Sequence, residues 1–388
     1  MSQNKHKQPR RWLARAGMML SSMAAGAVIG VLTASNLVPL AEAGVPFGEY
    51  LLALGWLLAA LLLAVGVQTI LHEAGHLVFG LATGYRFSSF RIGSWMLLRQ
   101  GGQLRVRRMK LAGTAGQCLL EPPPLVDGRI PYVLYNLGGV LMNLVAVALF
   151  LALALLCDGV WALSVLFQML CGVGAADALL NGIPMQNGTI QNDGYNVWML
   201  GKNPAALRAL WVQLAVNARQ AQGQRLREMP DEWFTLPEED GLHNSLITAV
   251  AVMAESRSMD AQDFAEAARL CDWLDDPQKA VVGLYRGMLL CDRLTCALLT
   301  GEPCEALLAR WDAKEQRAFR KQMKDYLTVM RTEYAVALLH ARDTARAEAV
   351  AAQLERRAVS YPYASDLASE RELMELARQA AQALPAQE

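Results

Sequence analysis

Long apolar stretches dominate the first half of the chain and recur at four places. Residues 16–40, 50–71, 132–157 and 159–185 each contain at most one charged side chain. A bilayer core requires about 20 mostly apolar residues per helix, so the pattern predicts four transmembrane helices. The apolar character of the second stretch continues past residue 71, and we expect this helix to cover about residues 50–82.

The distribution of lysine and arginine predicts how these helices are oriented. Five such residues precede the first stretch, none separates the first stretch from the second, eight lie in residues 84–131, and none lies in residues 132–194. Cytoplasmic flanks of transmembrane helices carry an excess of these residues. We therefore expect a multi-pass protein of the cell membrane with both termini in the cytoplasm.

The first apolar stretch has a second interpretation. Basic residues precede it, and Ala41-Glu42-Ala43 has the small-x-small form of a signal-peptide cleavage site. The stretch is long for a signal peptide, which favours a retained helix. Its removal would not change the orientation of the later helices.

The remaining sequence consists of a short β segment and a helical half. Residues 84–125 mix β-branched, aromatic and basic side chains around two adjacent glycines, a pattern typical of a hairpin. Residues 199–388 show helical periodicity with short connections, which predicts an all-α, solenoid-like array similar to tetratricopeptide repeats. We thus expect a mainly α protein with a basic cytosolic tail (1–15), a membrane-embedded domain (16–198) and a cytosolic helical domain (199–388).

Composition adds two restrictions. The 388 residues are 54% hydrophobic and 19% charged with a formal net charge of zero, so the overall charge does not indicate a nucleic-acid partner. None of the seven cysteines belongs to a CxxC pair, which argues against a zinc finger or a disulfide framework and favours free thiols.

The clearest chemical signal is His72-Glu73-Ala74-Gly75-His76, an HExxH motif near the end of the second predicted helix. Positions i and i+4 of a helix share a face, so both imidazoles can bind one zinc ion. Glu73 lies beside them and can take a proton from the attacking water. Two histidines packed between helices are the alternative, but polar groups at membrane depth are costly and need partners. We therefore predict one Zn²⁺ per chain.

A catalytic zinc ion takes a third protein ligand. No other histidine lies near the membrane segments, so we expect a carboxylate, and the candidates are Glu49, Glu121, Asp127, Asp158, Asp177 and Asp193. His72 lies near the cytoplasmic end of its predicted helix, and Asp193 follows the fourth helix at the same end. Asp193 therefore fits best. Asp177 lies about four turns deeper and can interact with Asn181 on its own helix.

These residues resemble the site-2-protease-like intramembrane zinc metalloproteases, peptidase family M50. The family pattern has HExxH on one transmembrane helix, a Gly-Pro-x-x-Asn-like element on a later helix, and an Asp-Gly that carries the third ligand. The matching segments here are residues 72–76, residues 139–143 with Val140 in place of the proline, and Asn181-Gly182-Ile183-Pro184 followed at a wider spacing by Asp193-Gly194. The resemblance covers about residues 45–198.

The resemblance implies that His72, His76 and Asp193 bind zinc, that Glu73 is the general base, and that Asn143 lies near the metal and holds the substrate strand or the oxyanion. A buried amide can stabilise a developing alkoxide, whereas a hydrogen bond between helices is the alternative for Asn143 and the preferred interpretation for Asn136. The glycines at positions 138, 139, 172 and 174 are expected to permit close helix contacts.

The expected function is that of a zinc endopeptidase that cleaves a transmembrane segment of a membrane-protein substrate near the cytoplasmic face, in regulated proteolysis or in removal of signal-peptide remnants. The helical domain would bind substrate or a regulatory protein. Two rival functions stay open. A catalytically silent membrane scaffold would use the helical domain without needing Glu73, and a membrane-anchored peptidase would act on soluble peptides.

Overall fold

The computed structural model of the chain describes residues 9–109 and 114–383, with side chains from residue 19 onward. Residues 1–8 of the predicted basic tail lie outside this part. The described residues form two compact units. The first, here called the membrane unit, contains the residues up to Ile92 and Ala115–Pro204. The second, the helical unit, contains the described residues of Gly93–Thr114 and of Ala205–Glu388.

Four long helices make up most of the membrane unit, as the apolar stretches predicted. They are α1 (Pro9–Glu42), α2 (Phe47–Ala82), α3 (Tyr132–Leu156) and α4 (Trp161–Gly182). Each is long and apolar enough to cross a bilayer, α1 over Met19–Glu42. Large apolar side chains on the outer face of α2, such as Leu52 and Leu62, are exposed, as expected of a surface that contacts lipid.

Small residues bring α2 and α3 into close contact beside the HExxH motif. A Cβ atom on Gly75 would lie 2.6 Å from the carbonyl carbon of Gly138, and a Cβ atom on Gly138 would lie 3.0 Å from the Cα atom of His76. Small residues at helix interfaces allow such backbone approach in membranes. Gly138 thus permits a close helix contact, as predicted. This contact sets the distance between the HExxH motif and α3.

A second contact holds α2 against α4 further from the motif. Leu57, Ala60 and Ala64 lie on one face of α2, at helical spacing, and pack against Val165 and Met169 of α4. These five side chains are buried. The three helices α2, α3 and α4 therefore form one packed bundle that carries the motif.

Short antiparallel strands occupy the predicted β segment. In the membrane unit, β1 (Arg86–Ile92) pairs with β4 (Gly116–Glu121). In the helical unit, β2 (Trp95–Gln100) pairs with β3 (Gln103–Arg108) across two glycines with φ of +57° and +78°, which confirms the predicted hairpin. The β segment that the sequence assigned as a whole to the membrane domain is thus divided between the two units.

A tight hairpin separates α4 from α5 (Asp193–Leu200). Its two-residue strands are β5 (Gln186–Asn187) and β6 (Ile190–Gln191), and Gly188 between them has a φ of +60°, which favours glycine. The hairpin occupies most of the sequence between Asn181-Gly182 and Asp193-Gly194.

The helices of the helical unit are α6 (Pro204–Ala221), α7 (Ser245–Asp260), α8 (Phe264–Leu274), α9 (Gly283–Thr300), α10 (Glu305–Trp311), α11 (Lys314–Gln322), α12 (Leu327–Ala335), α13 (Thr344–Ala358) and α14 (Ala364–Ala383).

These helices pack largely in chain order, α7 on α8, α8 on α9 and α12 on α13. Buried Arg331 pairs with Asp292 and donates to Glu370 at 2.9 Å, which compensates charge inside the unit. Three short 3₁₀ turns lie between α6 and α7, and residues 336–340 continue α12 as a π-helix. The predicted repeat array stays a prediction.

The glycine contact between α2 and α3 gives a stability prediction. Gly75→Ala should destabilise the full-length protein by about 1–3 kcal/mol, because the new methyl group overlaps the α3 backbone. Gly66→Ala on the same helix is the matched control, since nothing lies within 4 Å of a Cβ atom there. Thermal unfolding of the detergent-solubilised protein should show a lower midpoint for Gly75→Ala alone. Equal midpoints for the two variants would contradict the close contact.

Candidate metal centre

The structure brings the three predicted metal ligands together. His72 and His76 lie on adjacent turns of α2, and Asp193 is the first residue of α5. The Nε2 atoms of the two imidazoles are 3.1 Å apart, and Asp193 Oδ2 lies 3.1 Å from His72 Nε2 and 3.5 Å from His76 Nε2. The three side chains are mostly buried, with 14%, 12% and 19% of their surfaces exposed. Helix α2 therefore supplies two ligand atoms and α5 the third.

These distances fit one tetrahedral ion. Zinc binds histidine nitrogen and carboxylate oxygen at about 2.0–2.1 Å, which places neighbouring ligand atoms of a tetrahedron about 3.3 Å apart. The three observed separations, from 3.1 to 3.5 Å, bracket that value. Two imidazoles and one carboxylate also form a common ligand set of catalytic zinc sites.

A hydrogen bond of His76 determines which of its ring nitrogens is protonated and which can bind a metal ion. His76 Nδ1 lies 2.7 Å from the backbone oxygen of Tyr135. A carbonyl oxygen only accepts hydrogen bonds, so Nδ1 carries the proton. In the neutral imidazole, Nε2 then has a free lone pair directed at the cluster, which is the form that binds a metal.

Two buried side-chain amides determine the protonated nitrogen of His72 in the same way. Gln68 Nε2 donates to the Leu170 backbone oxygen at 2.7 Å, and Asn143 Nδ2 donates to Gln68 Oε1 at 2.8 Å. His72 Nδ1 lies 2.7 Å from Asn143 Oδ1. Because the carbonyl at one end can only accept, each amide has one allowed orientation, and His72 Nδ1 must donate. The Nε2 atom of His72 therefore also faces the cluster with a free lone pair.

Three electron-pair donors thus converge on one position. Asp193 Oδ2 is buried and has no hydrogen-bond partner among the described residues. Lone pairs held this close repel one another in a low-dielectric surrounding unless a cation lies between them. The residues present therefore fit a bound metal ion.

Glu73 lies beside the cluster but is not part of it. Among the described residues, the only group of candidate ligands with atoms within 4.8 Å of one another is His72, His76 and Asp193. A Cβ atom on Gly116 would lie 2.6 Å from both Cγ and Oε1 of Glu73, so the absence of a side chain at the start of β4 leaves space for this carboxylate. The Glu73 carboxylate is therefore outside the ligand group and lies against the start of β4.

Two features of α3 and β4 complete the surroundings. Gly139 leaves space for the His72 ring, since a Cβ atom there would lie 2.5 Å from Nε2. The hydroxyl of Tyr135 donates to the Cys118 backbone oxygen at 3.1 Å, which ties α3 to β4. Burial raises the pKa of the Cys118 thiol to about 12, and its sulfur is not part of the ligand group.

Asn192 positions the third ligand, a role that the sequence analysis did not assign. Its Oδ1 atom accepts from the backbone nitrogens of Tyr195 at 2.9 Å and Met185 at 3.0 Å, and its Nδ2 atom donates to the Leu180 and Ile183 oxygens at 2.6 Å each. The side chain therefore caps α5 and binds the end of α4. An asparagine directly before Asp-Gly is a recognisable helix-cap signal.

The other candidate carboxylates lie outside this group of ligand atoms. Glu49 is in the first turn of α2, at the opposite end from the motif. Asp177 is linked to Asn181 as expected, although through its backbone oxygen, which accepts from Asn181 Nδ2 at 3.1 Å. Asn136 Nδ2 donates to the Tyr132 oxygen of its own helix at 2.7 Å, whereas the sequence analysis favoured a bond between helices.

Comparisons of the chain with protein-family models, with curated proteins and with solved structures find no match. The resemblance to family M50 therefore stays a prediction from the motifs. The functional argument rests on the geometry of the cluster.

The convergence of the three ligands predicts the metal content. The purified full-length protein should bind one zinc ion per chain, and Asp193→Ala should weaken zinc binding by more than the roughly 10- to 100-fold loss typical of changes outside the ligand set. Asp177→Ala should bind zinc like the wild type, because Asp177 is outside the cluster. Chelator-competition titrations would measure both. Undiminished zinc affinity in Asp193→Ala would exclude this residue as a ligand.

Proposed function

We propose that the protein is an intramembrane zinc endopeptidase that cleaves a transmembrane segment of another membrane protein near the cytoplasmic face. The observation that carries the proposal is the convergence of His72, His76 and Asp193 with a non-ligating glutamate beside them. Two of these three ligands, and Glu73 itself, lie on an apolar helix long enough to cross a bilayer. The orientation with both termini in the cytoplasm is part of the proposal and follows from the basic residues.

The chain's own residues have separate roles in this proposal. His72, His76 and Asp193 would hold the ion. Zinc, when bound, would supply Lewis acidity that polarises a carbonyl group and makes water more acidic. The carboxylate of Glu73 would accept a proton from the attacking water and return it to the nitrogen of the leaving amine.

The apolar surroundings suit a substrate that lies in the membrane. Carbonyl groups of a transmembrane helix are hydrogen-bonded within that helix, so a substrate segment must unwind locally before water can attack it. The ligand side chains are mostly shielded, which limits access of bulk water to the centre. Exposed leucines on α2 offer a lipid-facing surface along which a substrate helix can approach.

The helical unit would recruit the substrate or a regulatory protein in this proposal. No further group of metal ligands is found among its described residues, so it offers no second metal centre of this kind. Helices packed in chain order present extended surfaces of the type that solenoid-like proteins use for partners. This assignment includes the repeat-like architecture expected from the sequence.

The presence of Glu73 distinguishes the proposed enzyme from a catalytically silent scaffold. A metal site that only stabilises a scaffold needs its ligands but needs no carboxylate beside them. A glycine at position 116 leaves room for the Glu73 carboxylate, which adjoins His72 in the sequence. This observation favours catalysis.

The role of Glu73 can be tested in cells. Glu73→Gln should lower cleavage at least about 100-fold, because the amide cannot accept the proton, while zinc content stays at one ion per chain. New peptide termini in the membrane fraction, mapped by mass spectrometry, would report cleavage. Glu49→Gln, at the other end of the same helix, is the matched control and should cleave like the wild type.

The termini themselves distinguish the rival functions. Termini inside transmembrane segments that disappear in Glu73→Gln support the proposal. Termini confined to soluble proteins would favour a membrane-anchored peptidase for soluble peptides. An identical set of termini in wild type and Glu73→Gln would support the scaffold.

A further inference from the structure

Gln68 lies one helical turn before His72 on α2 and is completely buried, as is Asn143 on α3. We propose that Gln68, acting through Asn143, holds the proton of His72 on Nδ1 and thereby leaves Nε2 free to bind the metal. The inference rests on the proposed zinc site but concerns residues outside the ligand set. It makes Gln68 a positioning residue.

The argument follows the direction of the hydrogen bonds. If the amide of Asn143 turned by 180°, its NH₂ group would face His72 Nδ1, which would then have to accept. The proton of the neutral ring would move to Nε2 and block metal binding. Gln68 opposes this turn, because the turned amide would place Asn143 Oδ1 against Gln68 Oε1, two acceptors with no proton between them.

Gln68 is itself held in one orientation by α4. Its Nε2 atom donates to the Leu170 backbone oxygen at 2.7 Å. A Cβ atom on Gly174 would lie 2.5 Å from the same Nε2 atom, so a glycine at this position leaves space for the amide. Three helices thus determine which nitrogen of His72 is protonated.

The same bonds give Asn143 a positioning role. Its Oδ1 atom accepts from His72, and its Nδ2 atom donates to the Gln68 side chain at 2.8 Å, with the Gln68 backbone oxygen 3.4 Å away. Neither atom is free to bind an oxyanion in this arrangement. The structure therefore supports orientation of a ligand by Asn143 in place of the oxyanion role expected from the resemblance.

The first test is the zinc affinity of Gln68→Leu in the purified full-length protein, measured by chelator competition. Zinc binding should weaken about 10- to 100-fold, the range typical for loss of a group that orients a ligand. Gln168→Leu is the matched control. Gln168 on α4 bonds to Asn36 and Ser164 and takes no part in the hydrogen bonds that lead to His72. Its replacement should therefore leave the zinc affinity unchanged.

The second test separates hydrogen-bond direction from packing. In the double variant Gln68→Leu with Asn143→Asp, both side-chain atoms at position 143 are oxygens, so His72 Nδ1 meets an acceptor whichever way the group turns. Zinc affinity should recover to within a few-fold of the wild type. A double variant that binds zinc as weakly as Gln68→Leu would show that Gln68 acts by packing and would overturn the proposal, as would wild-type affinity in Gln68→Leu.

A measurement on the wild type keeps the proposal testable if the variants fail to fold. Nitrogen-15 spectra of the histidine rings in the metal-free protein, recorded at a pH at which His72 is neutral, should show its proton on Nδ1. A neutral His72 ring with its proton on Nε2 would overturn the proposal. Absence of zinc binding in the wild type would contradict the proposed function instead. Zinc binding with unchanged affinity in Gln68→Leu would contradict only the positioning role of Gln68.

Discussion

Three electron pairs, on His72, His76 and Asp193, point at one position between apolar helices. In a low-dielectric surrounding their mutual repulsion is relieved by positive charge, and a divalent ion bound at that position would supply it. The polar groups that bond to these three ligands, or to their partners, can be understood from this requirement. Each hydrogen bond to an imidazole directs a lone pair inward, and each backbone contact places a ligand at the necessary distance.

Glycine is the residue that makes such a cluster compatible with closely packed helices. Gly75 and Gly138 let α2 approach α3, Gly139 leaves space for the His72 ring, and Gly116 leaves space for Glu73. Polar side chains in a membrane interior are costly unless every donor and acceptor is used. The amides of Gln68 and Asn143 meet this requirement, because they bond to one another, to His72 and to a backbone oxygen.

The features that were predictable from the sequence are those encoded within single segments. Apolar runs located the four helices, and HExxH on a helix necessarily places two imidazoles on one face. Asp193 could be inferred because it follows the fourth predicted helix at the same membrane face as His72. The role of Gln68 could not, because a glutamine in an apolar run does not reveal which helices it will meet. Strand β4 was also missed as a separate element, since Gly116–Glu121 is short and lacks clear alternation.

The central claim is that two imidazoles and one carboxylate of this chain bind a single zinc ion. X-ray absorption at the zinc edge of the purified protein tests it most directly. We expect about four nitrogen or oxygen ligands at about 2.0–2.1 Å, the outer-shell scattering of two imidazole rings, and loss of one light-atom ligand in Asp193→Ala. Sulfur scattering at about 2.3 Å would place the zinc on cysteine and contradict the account.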